Sequence, residues 1–394
     1  MNVPHTQRLP AVLWPMMFGN VVIGMGVMVV AGLLNDIRED FAVSVNTAGH
    51  LIGYGAAAVC IGAPLLAAVV SRWDRRRLLV GSMLWYAFFH ALATVAGSFD
   101  QLLWSRVLAL VSAAVFTPQA AACIGALVPE HQRGRAITFV FLGWSVASVL
   151  GTPLGAWIGG TLGWRWTMGL MALMSLASGL WLAARMPRGI TTEPLSASAW
   201  RRTLLSSSLM LTLAITVLAA AGQFTLFSYL APFVVQGYAT DTTQLSLLFF
   251  AYGLCGFIGN ALVSRRIDQL GPPRAMAIAL GSIALGLGAV SLTHSYGALV
   301  LALLPWGLGV FASNSAQQAR LVNLAPVLAP ASIALNTSAL YAGQALGAAG
   351  GGWLLVRHGM DVLPMAGCAI VLLALGLSLW AARWAQGHPV RQAN

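Results

Sequence analysis

The stretch Phe141–Gly160, FLGWSVASVLGTPLGAWIGG, is apolar enough to lie in hydrocarbon, yet it holds five glycines and a proline. Those are the two weakest helix formers in water. In lipid a segment must close its own backbone hydrogen bonds, so a helix survives there despite them. Gly143, Ala147, Gly151, Gly155 and Gly159 recur every fourth residue and make one stripe along the predicted helix. Within a membrane such a stripe lets another backbone approach closely. Pro153 cannot donate to the Val149 carbonyl, which predicts a kink, with that carbonyl met by a neighbour such as Ser148 or by water. A close-packed, kinked contact of this kind is able to rock.

The rest of the chain has the same character. It is 58% hydrophobic and only 8% charged, with mean hydropathy +0.80. A soluble globular chain of 394 residues needs far more surface charge. Twelve apolar runs are long enough to cross a ~30 Å hydrocarbon core as helices. They cover 11–34, 47–70, 78–97, 101–127, 136–160, 164–185, 205–235, 243–266, 275–294, 296–319, 331–356 and 360–384. The reading is an all-α membrane protein with twelve transmembrane helices. The first run is too long for a signal-peptide core and is expected to remain as the first helix.

The net charge of +11 does not point to nucleic acid, because the arginines lie in short clusters between apolar runs and lysine is absent. With a cytoplasmic N-terminus, 17 of the 21 arginines fall on the inner side. The positive-inside rule therefore predicts both termini in the cytoplasm. Cys60, Cys123, Cys255 and Cys368 sit in four separate runs without ligand spacing and read as buried thiols. No metal or cofactor is expected.

The least apolar interval, 186–204, reads as a cytoplasmic linker between a six-helix half at 1–185 and another at 205–394. The halves repeat: Tyr54-Gly55 returns at Tyr252-Gly253, Val115-Phe116 at Val310-Phe311, and Pro129 at Pro326, all offset by close to half the chain. The eleventh run carries Ala339, Gly343, Gly347 and Gly351, matching the stripe of the fifth. Internal repeats of this kind mark transporters whose substrate crosses between the repeats.

The chain resembles the major facilitator superfamily over essentially its full length. GTPLG (Gly151–Gly155) looks like the antiporter motif of the drug/proton antiporter group, and LLWSRVLAL resembles its fourth-helix motif, with Arg106 at the arginine. SRWDRRR from Ser71 occupies the place of the family's loop 2–3 motif in degenerate form, with Ser71 in place of its Asp. AGHLIGYGAAAVCIGAPLLA, AGQFTLFSYLAPF and ALNTSALYAGQALGAAGGG are similar to the arabinose-efflux-permease-like branch, which includes sugar, purine ribonucleoside and chloramphenicol exporters. The resemblance implies a monomeric, proton-coupled exporter in the lipid bilayer of a bacterial inner membrane. Members often carry an embedded Glu in the first helix, whereas this chain has Val27 near that place, and all ten of its acids lie in loops or at helix ends.

Arg106 is the one charge placed well inside a span, and it must face protein or water. With no embedded carboxylate, the proton-coupling candidates are Arg106, His90 and Asp36. His90 lies within the third run and titrates near neutral pH in the unperturbed state; Asp36 stands at the outer end of the first. Asn20, Gln119, Gln223, Phe227, Trp306, Asn314, Gln317, Asn336, Tyr341 and Gln344 form a polar and aromatic set in runs expected to line a cavity. Amides bond hydroxyl groups and rings pack on C–H faces, which suits an uncharged, hydroxylated solute; the same groups also serve as glue between helices. Gating and packing roles are expected for the glycines of the fifth and eleventh runs, for Pro153, and for Asp268 and Arg72 in the inner loops.

A lysine-free chain has no phosphate-binding loop of the Gly-x-x-x-x-Gly-Lys type, and its histidines form no His-Glu-x-x-His cluster. The expected function is export of a small organic solute, sugar-like or otherwise polar, against proton entry, and no enzymatic activity. A drug efflux pump and an uncoupled facilitator are the alternatives.

Overall fold

A computed structural model describes residues 10–70, 72–129, 132–191 and 197–387. Each of the twelve runs is helical within it. The helices are α1 (Leu13–Asp40), α2 (Val45–Val69), α3 (Arg75–Thr94), α4 (Phe99–Leu127), α5 (Arg133–Leu162), α6 (Trp164–Arg185), α7 (Ala197–Leu205), α8 (Ser207–Phe227), α9 (Leu230–Tyr238), α10 (Thr242–Leu270), α11 (Pro272–Val290), α12 (Tyr296–Leu324), α13 (Ala329–His358) and α14 (Leu363–Gly387). The seventh run is divided into α8 and α9. The short α7 lies in the interval read as a linker.

Ten spans are long and apolar enough to cross a membrane on their own, α8 and α9 counting as one. The two long helices outside that set are α3 and α13. Arg75, Arg76, Arg77 and His90 dilute α3; Asn336, Thr337, Ser338, Gln344 and five glycines dilute α13. Both are held by protein neighbours, which lowers the hydropathy that they need.

Two acids are spent as helix caps. Asp241 and Gln244 form a reciprocal capping box at the start of α10. Asp74 caps α3, its Oδ1 accepting from the Arg77 N–H at 2.9 Å, while Oδ2 accepts from the Gly189 N–H at 2.6 Å. The loop before α3 is thereby tied to the segment after α6. These N–H groups, Arg77's foremost, hold the Asp74 carboxyl below the usual carboxylate range. A lowered pKa adds stability that is present above the unfolded value of ~3.9 and is lost as pH falls through the lower folded value. Asp74→Ala should therefore lower the unfolding temperature at pH 7, by the equivalent of about 0.5–1 kcal/mol for an exposed cap. The difference from wild type should disappear at acid pH, as read by thermal unfolding in detergent.

Helix packing follows the repeat. In the first six helices α1 packs on α5 and α3 on α6; in the second set α8 packs on α13 and α11 on α14. The α5 stripe lies on α1. A Cβ on Gly143 would sit 2.9 Å from Val21 N, and one on Gly155 would sit 2.9 Å from Val29 O. Glycines on α1 answer it: Gly32 faces the Thr152 carbonyl and Ala156, and Gly24 faces Ala147. Gly343, Gly347 and Gly351 of α13 face the carbonyls of Val217, Ala221 and Thr225 in α8. Each stripe therefore binds helices within one set, rather than forming the surface between sets.

The sets meet along α2–α13 and α5–α10. The α5–α10 contact uses another face of α5, where Gly253 packs on the main chain of Ser148 and Val149. The helix α5 runs unbroken past Pro153. The expected rescue of the Val149 carbonyl by Ser148 does not occur, because the Ser148 hydroxyl donates to Ser145 O at 2.7 Å in its own helix.

The bundle end with the start of α1 and the end of α14 is proximal, and the other is distal. One large buried cluster joins the two sets, and from the first set only distal residues enter it: Val29–Ile37, Ala48–Ile52, Ala93–Leu103, Ala156, Trp164 and Met168 contribute. Proximally the first set has its own core, entered from the second by Tyr341 of α13, and α8, α12 and α13 share another. The sets are thus fused distally and separate proximally. Tyr229, at the α8–α9 break, seals the distal end. Its hydroxyl donates to Ala348 O at 2.7 Å, and its ring lies against Gly49 of α2, where a Cβ would be 2.5 Å away.

Candidate functional site

Arg106 lies in α4, two turns past its start at Phe99, and is 5% exposed. Its Nη1 donates to Gly26 O at 2.6 Å and its Nη2 to Val27 O at 2.9 Å, while Nε reaches Leu51 O at 3.4 Å. Three main-chain carbonyls from α1 and α2 thus take the place of a carboxylate. Each already accepts within its helix and uses its second lone pair here. Among the described residues the ion pairs within 4.0 Å are Arg38–Glu39 and Arg165–Asp40, so none involves Arg106.

His90 is fully packed beneath it. Its Nδ1 lies 2.9 Å from the Tyr86 carbonyl, which fixes Nδ1 as the protonated nitrogen, since a carbonyl only accepts. The Tyr86 hydroxyl donates to Ile23 O at 3.3 Å, beside Gly26. His90 and Arg106 line a cavity of about 10 Å³ together with Ser105 and apolar neighbours. That is the space of about one water. Tyr341 comes from the second set and packs among Tyr86 and its neighbours.

The amide set divides into two hydrogen-bonded groups. In the first, Asn20 of α1 donates to Val140 O of α5 at 3.2 Å and accepts from Thr117 of α4 at 2.7 Å, and Trp144 Nε1 donates to Thr117 at 3.2 Å. In the second, Asn336 of α13 accepts from Thr216 of α8 at 2.7 Å and donates to Asn314 of α12 at 3.1 Å. Residues 20 and 216, 117 and 314, and 140 and 336 are 196 or 197 positions apart, the repeat offset. Thr117 and Thr216 escaped the sequence reading, although the offset from Asn314 marks Thr117. Asn336→Ala should leave Thr216 and Asn314 without these partners and cost about 1 kcal/mol, the usual worth of such bonds between membrane helices, in a thermal unfolding assay.

Burial differs across the cavity set in this conformation. Asn20 and Trp306 are 0% exposed, and Gln317 and Asn336 are 1%. Their polar atoms are largely consumed: Gln317 donates to Thr212 O at 2.6 Å and Trp306 Nε1 to Gln223 Oε1 at 3.2 Å. In this conformation these four present no open surface and act as glue. Gln119, Gln223, Tyr341 and Gln344 are nearly as buried. Asn314 and Phe227 are half-buried, and Phe227 leads an aromatic group with Tyr252, Phe249 and Trp306.

Asp36 is half-buried near the distal end of α1, over Gly159, where a Cβ would lie 2.6 Å from its Oδ2. Arg72 is exposed. Asp268 belongs to α10, but its side chain lies outside the described residues. A further distal group was not foreseen: Arg165 donates to Asp40 Oδ2 at 2.6 Å and stacks on Trp164, 4.3 Å from the ring centre. Among the described residues no cluster of three metal-ligating side chains occurs.

Comparison with known proteins agrees with this architecture. The Major Facilitator Superfamily profile matches residues 16–348 and again 212–392. The chain is 28% identical over 358 residues to the inner membrane transport protein YdhP of Escherichia coli (strain K12), covering 89% of this chain and 91% of that protein. It is 31% identical over 275 residues to a chloramphenicol resistance protein of Streptomyces lividans, covering 69% and 70%. To a probable sugar efflux transporter of Pasteurella multocida (strain Pm70) it is 25% identical, covering 90% and 88%. Among solved structures, a bacterial homolog to the human lysosomal transporter Spinster superposes with TM-score 0.77 at 16% identity, covering 94% of this chain and 96% of that one. The twelve-helix fold, the repeated packing and these matches place the chain in the Major Facilitator Superfamily, as a multi-pass membrane transporter.

Proposed function

We propose that the protein exports a small, polar organic solute of sugar-like character by alternating access, in exchange for protons. Residues 1–185 and 205–394 act as the two moving halves and 186–204 as the cytoplasmic linker, in a monomer with both termini inside a bacterial inner membrane. The observation that carries this reading is the pair of repeat-related amide and hydroxyl groups, Asn20–Thr117 and Thr216–Asn314–Asn336, one in each half. Such groups fit hydroxylated solutes when the halves rearrange around one. The efflux names of the sugar and chloramphenicol relatives support the direction of transport.

Asp36 is the better proton carrier of the two titratable candidates. It is half-buried at the closed distal end, so its solvation changes as that end opens, whereas His90 is buried and committed to Tyr86. The test is a panel of sugars, nucleosides and chloramphenicol on everted vesicles with a pH-sensitive dye. A solute that evokes proton release in wild type but not in Asp36→Asn supports the proposal. Solute flux without proton movement would replace it with the uncoupled facilitator, the reading that the missing embedded carboxylate favours. Proton release evoked by chloramphenicol and not by sugars would make it a drug pump.

A further inference from the structure

The contact between α5 and α10 is pinned at two levels. Near mid-span, Gly253 packs on Ser148 and Val149, with a Cβ only 3.0 Å from Val149 Cα. At the distal end, Gly160 packs on Thr242, with a Cβ 3.0 Å from Thr242 Cβ. Between the pins lies a groove of about 230 Å³, lined by Pro153, Leu154 and Trp157 of α5 and Ser246, Leu247 and Phe250 of α10, among others. Trp157 is 50% exposed and Leu247 57%, so the groove opens sideways, away from the protein core. It holds no charged group, and the Ser246 hydroxyl is spent on Thr242 O at 2.7 Å in its own helix. Trp157 stands five residues before the end of α5, the place of an interfacial indole. The groove therefore runs from headgroup level into the hydrocarbon of the distal leaflet.

We infer that this groove binds one acyl chain of a distal-leaflet lipid, and that the bound chain favours the distally closed arrangement. Water has no hydrogen-bonding partner to gain there, and an empty groove forfeits dispersion contacts along both walls. A lipid tail is the apolar occupant that the surroundings of a membrane-spanning helix supply. The inference rests on the alternating-access reading in one respect: distal opening must part Gly160 from Thr242 while the Gly253 contact acts as the fulcrum. That motion widens the groove and loosens its grip on the chain. A ligand held better by one state shifts the population toward it.

The test uses the full chain in nanodiscs without substrate, with spin labels at Leu162 of α5 and Gln236 of α9, exposed distal positions, one in each helix set. The bilayer is either dioleoyl phospholipid or its methyl-branched diphytanoyl counterpart with the same headgroup. Branched chains fit the groove poorly, so the distally open population of wild type should rise by about threefold. Ser246→Leu, which fills the groove from within, should stay closed in both lipids. Leu247→Ala, a change on the lipid-facing surface, should widen the groove and raise the open population in dioleoyl lipid. Equal lipid responses in wild type and both variants would overturn the inference in favour of a bulk bilayer effect, as would no response in wild type. If no distally open population appears under any condition, alternating access fails instead, and the two failures are thus told apart.

Discussion

Arg106→Ala should abolish solute flux while the protein still inserts at wild-type level. The guanidinium clamps α1 to α2 through the carbonyls of Gly26, Val27 and Leu51. Deleting it leaves none of those carbonyls stranded, because each keeps its bond within its own helix. The stability cost is therefore modest, and removing a buried charge from within a span even relieves desolvation. Transport is another matter. Tyr341 of the other helix set packs in one core with Tyr86, whose hydroxyl faces Gly26, a residue that Arg106 holds by its carbonyl, so a shift of one set against the other must be felt there. Arg106→Lys should also fail, with flux down about tenfold or more, because a compact ammonium cannot reproduce a planar fork across three acceptors. Membrane abundance by immunoblot and flux in everted vesicles check both variants. Near-normal flux in Arg106→Ala would remove the residue from the mechanism.

The sequence made the twelve helices legible because length and hydropathy alone decide them in a membrane. The break of the seventh run was not legible: SYLAP carries one proline and no charge, and Tyr229 takes its place from Gly49, Gly351 and Gly352, all distant in the chain. Periodicity gave the α5 stripe its face but not its partner. A stripe says that some backbone comes close, and only the fold says that it is α1, within the same half. The cavity set was read from residue type, and type cannot separate a lining amide from a buried one. Asn20 and Asn336 proved buried, since each has a threonine hydroxyl within reach that sequence spacing does not reveal. Ser148 shows the same limit at short range: a hydroxyl in a helix finds a carbonyl in its own preceding turn before it finds a freed one elsewhere.

The position of the stripe leads to a graded result. A Cβ on Gly151 would meet Met25 Cα at 3.2 Å, a contact that a few tenths of an ångström relieves. A Cβ on Gly155 meets Val29 Cγ2 and lies 2.9 Å from Val29 O, and the main-chain atom cannot step aside. Gly151→Ala should therefore be close to neutral, since a better helix former offsets slight crowding. Gly155→Ala should destabilise by about 1–3 kcal/mol, as overpacking does, and Gly155→Val by more. The repeat-related change in the other half, Gly351→Ala, meets Thr225 O and should behave like Gly155→Ala. Thermal unfolding in detergent gives the ranking. Flux per folded molecule then separates packing from gating. If Gly155→Ala unfolds earlier but transports normally below its transition, the stripe holds α1 to α5 and nothing more. If flux falls while Gly151→Ala stays normal, the α1–α5 spacing itself belongs to the cycle. Adding Val29→Ala to Gly155→Ala removes the nearest side-chain obstacle while leaving the Val29 carbonyl in place. Partial recovery of stability in that pair would assign the loss to this one contact rather than to the altered helix.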